Sequence, residues 1–380
     1  MAAESDTSPL GWLADVELHR RRAGLRRVLR ARTPSTAAID LSTNDYLGLS
    51  DHPEVLEGGM RALRTWGAGS TGSRLVTGNT ELHEQFEGEL AQFFGAPAAL
   101  LFSSGYTANI GAVAALAGPG TLVVSDASVH ASLVDGCRLS RARVVVTPHR
   151  DVDAVAGALA ERSEERALVL TDSVFSTDGA LAPVRALHEV CRRHRAVLLV
   201  DEAHALGIRG EGGRGLVAEL GLAGSPDVVI TTTLSKALGS QGGAVIGSVA
   251  VRDHLIDTAR SFIFDTGLAP AAVGSAQAAL EVLRDQSWRV PAVLAHAREL
   301  ALACGVSEEP QSAVVSVVLG DPDAAMAKAA ACREVGVLVG CFRPPTVPAG
   351  TSRLRITARA SLSDDDLIRA TRVLRKVLAR

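Results

Sequence analysis

Ala196-Val197-Leu198-Leu199-Val200 runs directly into Asp201-Glu202-Ala203-His204. Five apolar residues without polar alternation describe a strand buried on both faces, as in a parallel sheet covered by helices. The same reading extends outward from this stretch. Ala98–Phe102, Thr121–Val124, Arg143–Val146, Ala167–Thr171 and Val228–Ile230 all read as buried strands, with helix-patterned segments such as Pro183–Arg193 between them. The expectation is an α/β fold, its mostly parallel central sheet covered by helices. Ligands in such sheets sit beyond the carboxyl ends of the strands, so the residues that end each run are the first candidates for chemistry.

The pattern changes at about residue 275. Ala313–Leu319, Val337–Phe342 and Leu354–Thr357 read as strands of a smaller α+β unit, with helices at Asp321–Glu334 and Ser363–Arg380. Ser363 is placed to cap the last helix, and Asp364, Asp365 and Asp366 suit the positive end of its dipole. Residues 9–32 read as a helical arm ending before Thr33-Pro34. The expected organisation is an arm over 1–42, a large domain over 43–275 and a small C-terminal domain over 276–380.

Composition narrows the functions. Hydrophobic residues make up 47% of the 380 and charged residues 21%, enough apolar material for a large core. A net charge of -3 gives no reason to expect a nucleic-acid or anionic-membrane partner. No apolar run reaches the roughly 18 residues of a membrane span. The start, Met1 to Asp6, has no signal-peptide pattern, and the five widely spaced cysteines suit a reducing cytosol better than a disulfide framework. A cytoplasmic protein is expected.

Only three lysines occur, Lys236, Lys328 and Lys376. The latter two lie in helix-patterned segments, where a solvated lysine is ordinary. Lys236 instead follows the run Val228–Thr233 and precedes a glycine-rich turn. Burial there lowers an amine's pKa, and a neutral amine can form a Schiff base with an aldehyde. Asp201 ends a neighbouring run, where a carboxylate needs a cationic partner such as a protonated ring nitrogen. His204 lies three residues on and can donate to a ring oxygen, although a helix cap beside an incidental histidine accounts equally well for the pair. The turn Ser103-Ser104-Gly105-Tyr106-Thr107 after Ala98–Phe102 can present backbone N–H groups to a phosphate. Thr233 and Ser235 add hydroxyls, and His130, just past Thr121–Val124, could stack on a flat ring.

Two motifs mislead. Asp201–His204 spells the DEAH box of nucleotide-dependent ATPases, but no G-x-x-x-x-G-K-[ST] loop accompanies it. Gly67–Gly72 matches G-x-G-x-x-G, yet Arg64-Thr65-Trp66 precedes it in place of a strand.

The strand-end set is what pyridoxal 5'-phosphate (PLP) requires: an amine for its aldehyde, a carboxylate for its ring nitrogen, a stacking partner and a phosphate cradle. In order along the chain, Ser42–Gly48, Gly72-Ser73-Arg74, Phe102–Asn109, His130-Ala131-Ser132, Val174–Gly179, Asp201–His204, Thr233–Lys236 and Gly350–Thr357 resemble the α-oxoamine synthases. These are fold-type-I PLP transferases with a smaller C-terminal α+β domain, and the resemblance runs from about Leu41 to the C-terminus.

The resemblance implies that Lys236 forms the Schiff base and later acts as base at the substrate Cα. It places Asp201 on the pyridinium nitrogen, His204 and Ser176 on the ring oxygen, and His130 over the ring and against the substrate carboxylate. Gly105, Tyr106 and Thr233 would hold the phosphate; Asn44 and Arg355 would bind the amino-acid carboxylate. Thr351 and an arm arginine, Arg26 or Arg27, would face the acyl substrate. The reaction implied is a decarboxylating condensation of an amino acid with an acyl thioester. The implied partner is a second copy of the chain, in a homodimer with shared sites to which Thr266 contributes. Many relatives carry a histidine shortly after the Arg355 strand, where this chain has Ala358-Arg359-Ala360-Ser361.

Overall fold

The computed structural model describes residues 8–33 and 38–379; Met1–Asp6 and Pro34, used above, lie outside them. Eleven strands are present among these residues: β1 (Ile39–Leu41), β2 (Ala98–Phe102), β3 (Thr121–Asp126), β4 (Arg143–Thr147), β5 (Arg166–Asp172), β6 (Val197–Asp201), β7 (Val228–Thr233), β8 (Gly243–Gly247), β9 (Val314–Gly320), β10 (Val337–Phe342) and β11 (Ser352–Thr357). Seven form the large sheet in the order β2-β8-β7-β6-β5-β3-β4, and four form a second sheet ordered β1-β10-β11-β9.

The large sheet explains the unbroken apolar runs. Leu198 and Val200 of β6 point into one buried cluster, while Leu199 between them points into another on the opposite face. Both faces are covered, so every position of the strand before Asp201 is apolar. The exception is β4. It is an edge strand, with Val144 and Val146 38% and 64% exposed, so the expectation of a buried strand over Arg143–Val146 is corrected. Its apolar residues reflect β-propensity on a one-sided edge more than burial.

Strands β3 to β7 run parallel, whereas β8 is antiparallel to both β7 and β2. The sequence pattern gave no strand at Gly243–Gly247, which is short and flanked by glycines. The connection Leu234–Gly242 is too short for a crossover helix, so the chain returns antiparallel. Lys236 sits in that connection.

In the smaller sheet, β10, β11 and β9 pair antiparallel and β1 joins β10 in parallel, Leu41 opposite Val339. The N-terminal segment is therefore not helical throughout: its helix spans Trp12–Arg22, Leu25–Thr33 has no regular structure, and Ile39–Leu41 is a strand. Ser363 caps the last helix as expected, its hydroxyl accepting from Asp366 N at 3.1 Å. Among the described residues, no helix is long and apolar enough to cross a membrane.

Candidate active site

The order of the large sheet reverses at β3, which has β4 on one side and β5 on the other. A crevice opens beyond the carboxyl ends at such a reversal. The polar groups gather there: His130 after β3, Asp172 at the end of β5, Asp201 at the end of β6, and Lys236 after β7. With Ser104, Gly105, Tyr106, Asn109, His204, Thr232, Thr233 and Ser235 they line a cavity of about 240 Å³. Seven of the residues expected at the cofactor are thus brought together; Ser176 is not on this wall.

Hydrogen bonds hold several of these groups from below. Asp201 is 6% exposed, its Oδ2 accepting from Asn109 Nδ2 at 2.7 Å and its Oδ1 from Ala203 N at 2.9 Å. His130 Nδ1 lies 2.7 Å from Ser132 Oγ. His204 Nδ1 pairs with the Tyr46 hydroxyl. Thr233 Oγ1 donates to Gly242 O at 3.0 Å and lies 2.8 Å from Ser235 Oγ.

Burial sets the electrostatics. It lowers the Lys236 pKa, opposed by the attraction of Asp201 and Asp172 and aided by the repulsion of Arg355. Desolvation also lowers His130 and drives His204 well below the ordinary histidine range, keeping both rings neutral. Asp172 is pushed well above the carboxylate range by burial and then by Asp201 beside it. The cavity therefore holds an amine whose charged form burial disfavours, one carboxylate anchored by donors and a second carboxyl whose protonated form burial favours.

The cavity fits PLP on its own terms. Asn109 Oδ1 and Thr232 Oγ1 are buried without a hydrogen-bond partner, and both residues line the wall. The helix Gly105–Leu116 begins at the rim, so the N–H groups of Gly105 and Tyr106 have no intrahelical acceptor and suit a phosphate. A Cβ at Gly105 would come within 2.9 Å of Thr233 Cβ, so only glycine keeps this cradle open.

A second wall comes from the smaller sheet. Arg355 of β11 is 3% exposed; its Nε donates to Ser176 O at 2.7 Å and its Nη1 to Asn44 Oδ1 at 3.0 Å. Nη1 also reaches Thr357 Oγ1, and Nη2 the Tyr46 hydroxyl at 3.4 Å, which links this wall to His204. Asn44 and Arg355 are together as expected, whereas Ser176 meets Arg355 through its carbonyl. The arm residues lie farther out. Arg27 donates to Thr346 Oγ1 at 3.2 Å, Arg26 pairs with Glu17 at 3.0 Å, and Thr351 Oγ1 donates to Pro348 O at 2.7 Å. Thr266 is exposed.

Residues 36–374 match the model of the aminotransferase class I and II family. The chain belongs to that family. Within it, the resemblance to the α-oxoamine synthases is borne out. A protein of Mycobacterium avium (strain 104), 8-amino-7-oxononanoate synthase, is 72% identical over 379 residues, covering 100% of this chain and 99% of the relative. The protein of that name from Mycolicibacterium gilvum is 71% identical, covering 98% of both. A high-resolution structure of SPT with the PLP internal aldimine superposes with a TM-score of 0.91 at 29% identity, covering 97% of this chain and 98% of its own. The 8-amino-7-oxononanoate synthase of Francisella tularensis gives 0.76 at 26% identity, with 90% and 98% covered.

As an aminotransferase-family member, the chain puts its DEAH-like stretch to other uses. Asp201 and His204 face the cavity, while Glu202 is buried and accepts from Leu216 N at 2.8 Å and Val217 N at 3.0 Å. The sequence reading assigned no role to Asp172, Asn109, Ser132 or Tyr46. Asp172 carried a usable signal: it ends a buried run as Asp201 does, and the two are register partners on neighbouring strands. Asn109 lies a full helical turn past the phosphate-type turn, and nothing in the sequence points its amide back at Asp201.

Proposed function

We propose that the chain is an 8-amino-7-oxononanoate synthase, a PLP-dependent acyltransferase of biotin biosynthesis. It condenses L-alanine with a pimeloyl thioester, releasing carbon dioxide and the thiol carrier. The carrying observation is the Lys236 amine, depressed by burial and flanked by Asp201 and His130 in a cavity with a phosphate cradle at its rim. The full-length identity to relatives of that name selects the substrates.

PLP supplies an aldehyde that reacts with amines and a ring that draws electrons from the substrate Cα. Around it, Lys236 provides the amine and then moves the Cα proton. Asp201 keeps the ring nitrogen protonated; the Gly105 and Tyr106 N–H groups, with Thr233, hold the phosphate. His204 and Ser176 are assigned to the ring oxygen. His130 covers the ring and, with Asn44 and Arg355, orients the amino-acid carboxylate. A bidentate arginine suits that task. Arg26 or Arg27 and Thr351 are assigned to the acyl end.

The working assembly in this reading is a cytoplasmic homodimer of chains divided at about residues 42 and 275. Leu56, Met60, Leu63 and Trp66 form an apolar stripe on the helix Pro53–Trp66, each at least 38% exposed, and Phe264 beside Thr266 is 70% exposed. A partner subunit that covers these residues brings Thr266 to the neighbouring site. The five cysteines are free, in keeping with a reducing compartment.

Purified protein given PLP, pimeloyl thioester and either L-alanine or glycine tests the reading. Release of 8-amino-7-oxononanoate from alanine is expected. Turnover of glycine with acetyl-CoA alone would make it a glycine C-acetyltransferase, and a colourless protein that hydrolyses ATP would refute the PLP reading altogether.

A further inference from the structure

Asp201 ends β6 and His130 caps the helix after β3, yet a continuous chain of side chains joins them. Asn109 Nδ2 lies 2.7 Å from Asp201 Oδ2 and 2.8 Å from Ser132 Oγ, and Ser132 Oγ lies 2.7 Å from His130 Nδ1. Asn109 is 3% exposed and Ser132 fully buried, so water does not compete for these contacts.

The chemistry of the groups fixes the direction of every proton. An ionised carboxylate only accepts, so the Asn109 NH₂ faces Asp201, and its second hydrogen is directed at Ser132 Oγ. Among the described residues the Ser132 hydroxyl, buried from water, meets no acceptor but His130 Nδ1, so its proton goes there. Ser132 N also donates to Nδ1, at 3.3 Å. Nδ1 therefore carries no proton, and the hydrogen of the neutral ring resides on Nε2.

We propose that Asn109 and Ser132 are positioning residues that lock the His130 tautomer to the orientation of the Asp201 carboxylate. His130 then presents an N–H donor from Nε2, as contact with a substrate carboxylate or a developing carbonyl charge requires. Burial of His130 favours the same neutral ring. The proposal deepens the PLP reading of the cavity and rests on it for the role of His130. The hydrogen-bond chain itself belongs to the protein alone.

The test is ¹⁵N-histidine NMR, which distinguishes the two neutral tautomers, with the His130 signal assigned by its loss in His130→Gln. Apoprotein and PLP-loaded protein are compared for wild type, Ser132→Ala, Ser132→Thr and Asn109→Ala, alongside a PLP titration followed by absorbance. Wild type is expected to show the Nε2–H form, Ser132→Ala a mixture of tautomers, and Ser132→Thr recovery of the single form. Asn109→Ala should disturb the tautomer and also weaken PLP binding roughly tenfold more than Ser132→Ala, because it removes a donor to a charged group. A single Nε2–H tautomer in Ser132→Ala, or wild-type tautomer and PLP affinity in Asn109→Ala, overturns the proposal. Should Asn109→Ala not fold, the Ser132 pair decides it. A wild-type protein that takes up no PLP defeats the reading of the cavity, while the apoprotein tautomers still decide the hydrogen-bond chain.

Discussion

The two walls of the cavity are built differently. One is the row of strand ends in the large sheet, where Asp172 and Asp201 end parallel strands and His130 and Lys236 follow two more. The other joins Asn44, after the first strand, to Arg355, 311 residues later, through a guanidinium shared among Asn44, Thr357, Tyr46 and the Ser176 carbonyl. The first wall repeats one rule of parallel sheets along consecutive units. The second exists only because β1 crosses to pair with β10 and brings Asn44 beside β11. Cofactor chemistry is assigned to the first wall and recognition of the amino-acid carboxylate to the second, so the two can be broken separately.

Lys236→Ala is the largest expected break. In the proposed reading it removes the Schiff-base amine and the proton carrier, so kcat should fall by at least roughly 10²–10⁴-fold, and the visible absorbance of the lysine-bound cofactor should vanish. Asp201→Asn should lower kcat by about 10²-fold, on the scale of losing one partner of a buried charged pair, with a shifted absorbance maximum. Arg355→Lys acts on the other wall. It should raise KM for the amino acid about tenfold or more while the cofactor absorbance stays as in wild type, since an ammonium cannot reproduce the guanidinium fork. If Arg355→Lys instead changed the cofactor spectrum and left KM alone, the division between the walls would fail.

Two buried groups outside the catalytic set sharpen the comparison through stability. His83 is fully buried between Thr80 and the Leu268 carbonyl, and burial lowers its pKa to about 4. The unfolded chain takes up that proton first, so stability is present above about pH 6.5 and falls as pH drops toward 4, by on the order of 3 kcal/mol. Denaturant titrations over this range should show the loss, and His83→Gln should flatten it. Glu202 has the opposite sign. Burial raises its pKa to about 7 against the pull of the Val217 and Leu216 amides, so its contribution is complete at low pH and fades as pH rises through 7. That decline lies between about pH 4.5 and 7, and Glu202→Gln should remove it; a decline that persisted in this window would locate its source elsewhere.

Much of the large sheet was legible because burial on both faces leaves a mark along the chain. β2 and β10 begin and end where the apolar pattern does, and β5, β6 and β7 differ only in how far they extend. The failures have physical causes. β8 begins and ends in glycine, so little of it reads as an apolar run, and β4 carries strand-forming residues on an edge that is not buried. The arm was read as one helix over 9–32, but the helix stops at Arg22, the chain beyond it meets the loop after β10 through single polar contacts such as Arg27 to Thr346, and Ile39–Leu41 is a strand.

Sequence alone determined the parallel sheet, the strand-end lysine, aspartate and histidine, and the order of motifs that marks the family, because each follows from local patterning. Only the tertiary structure decided which groups meet. It set Asp172 beside Asp201 through strand register, aimed Asn109 back across a helix turn, tied Tyr46 to His204 and closed the site with Arg355. These are contacts between residues far apart in the chain, and packing, not spacing, fixes their geometry.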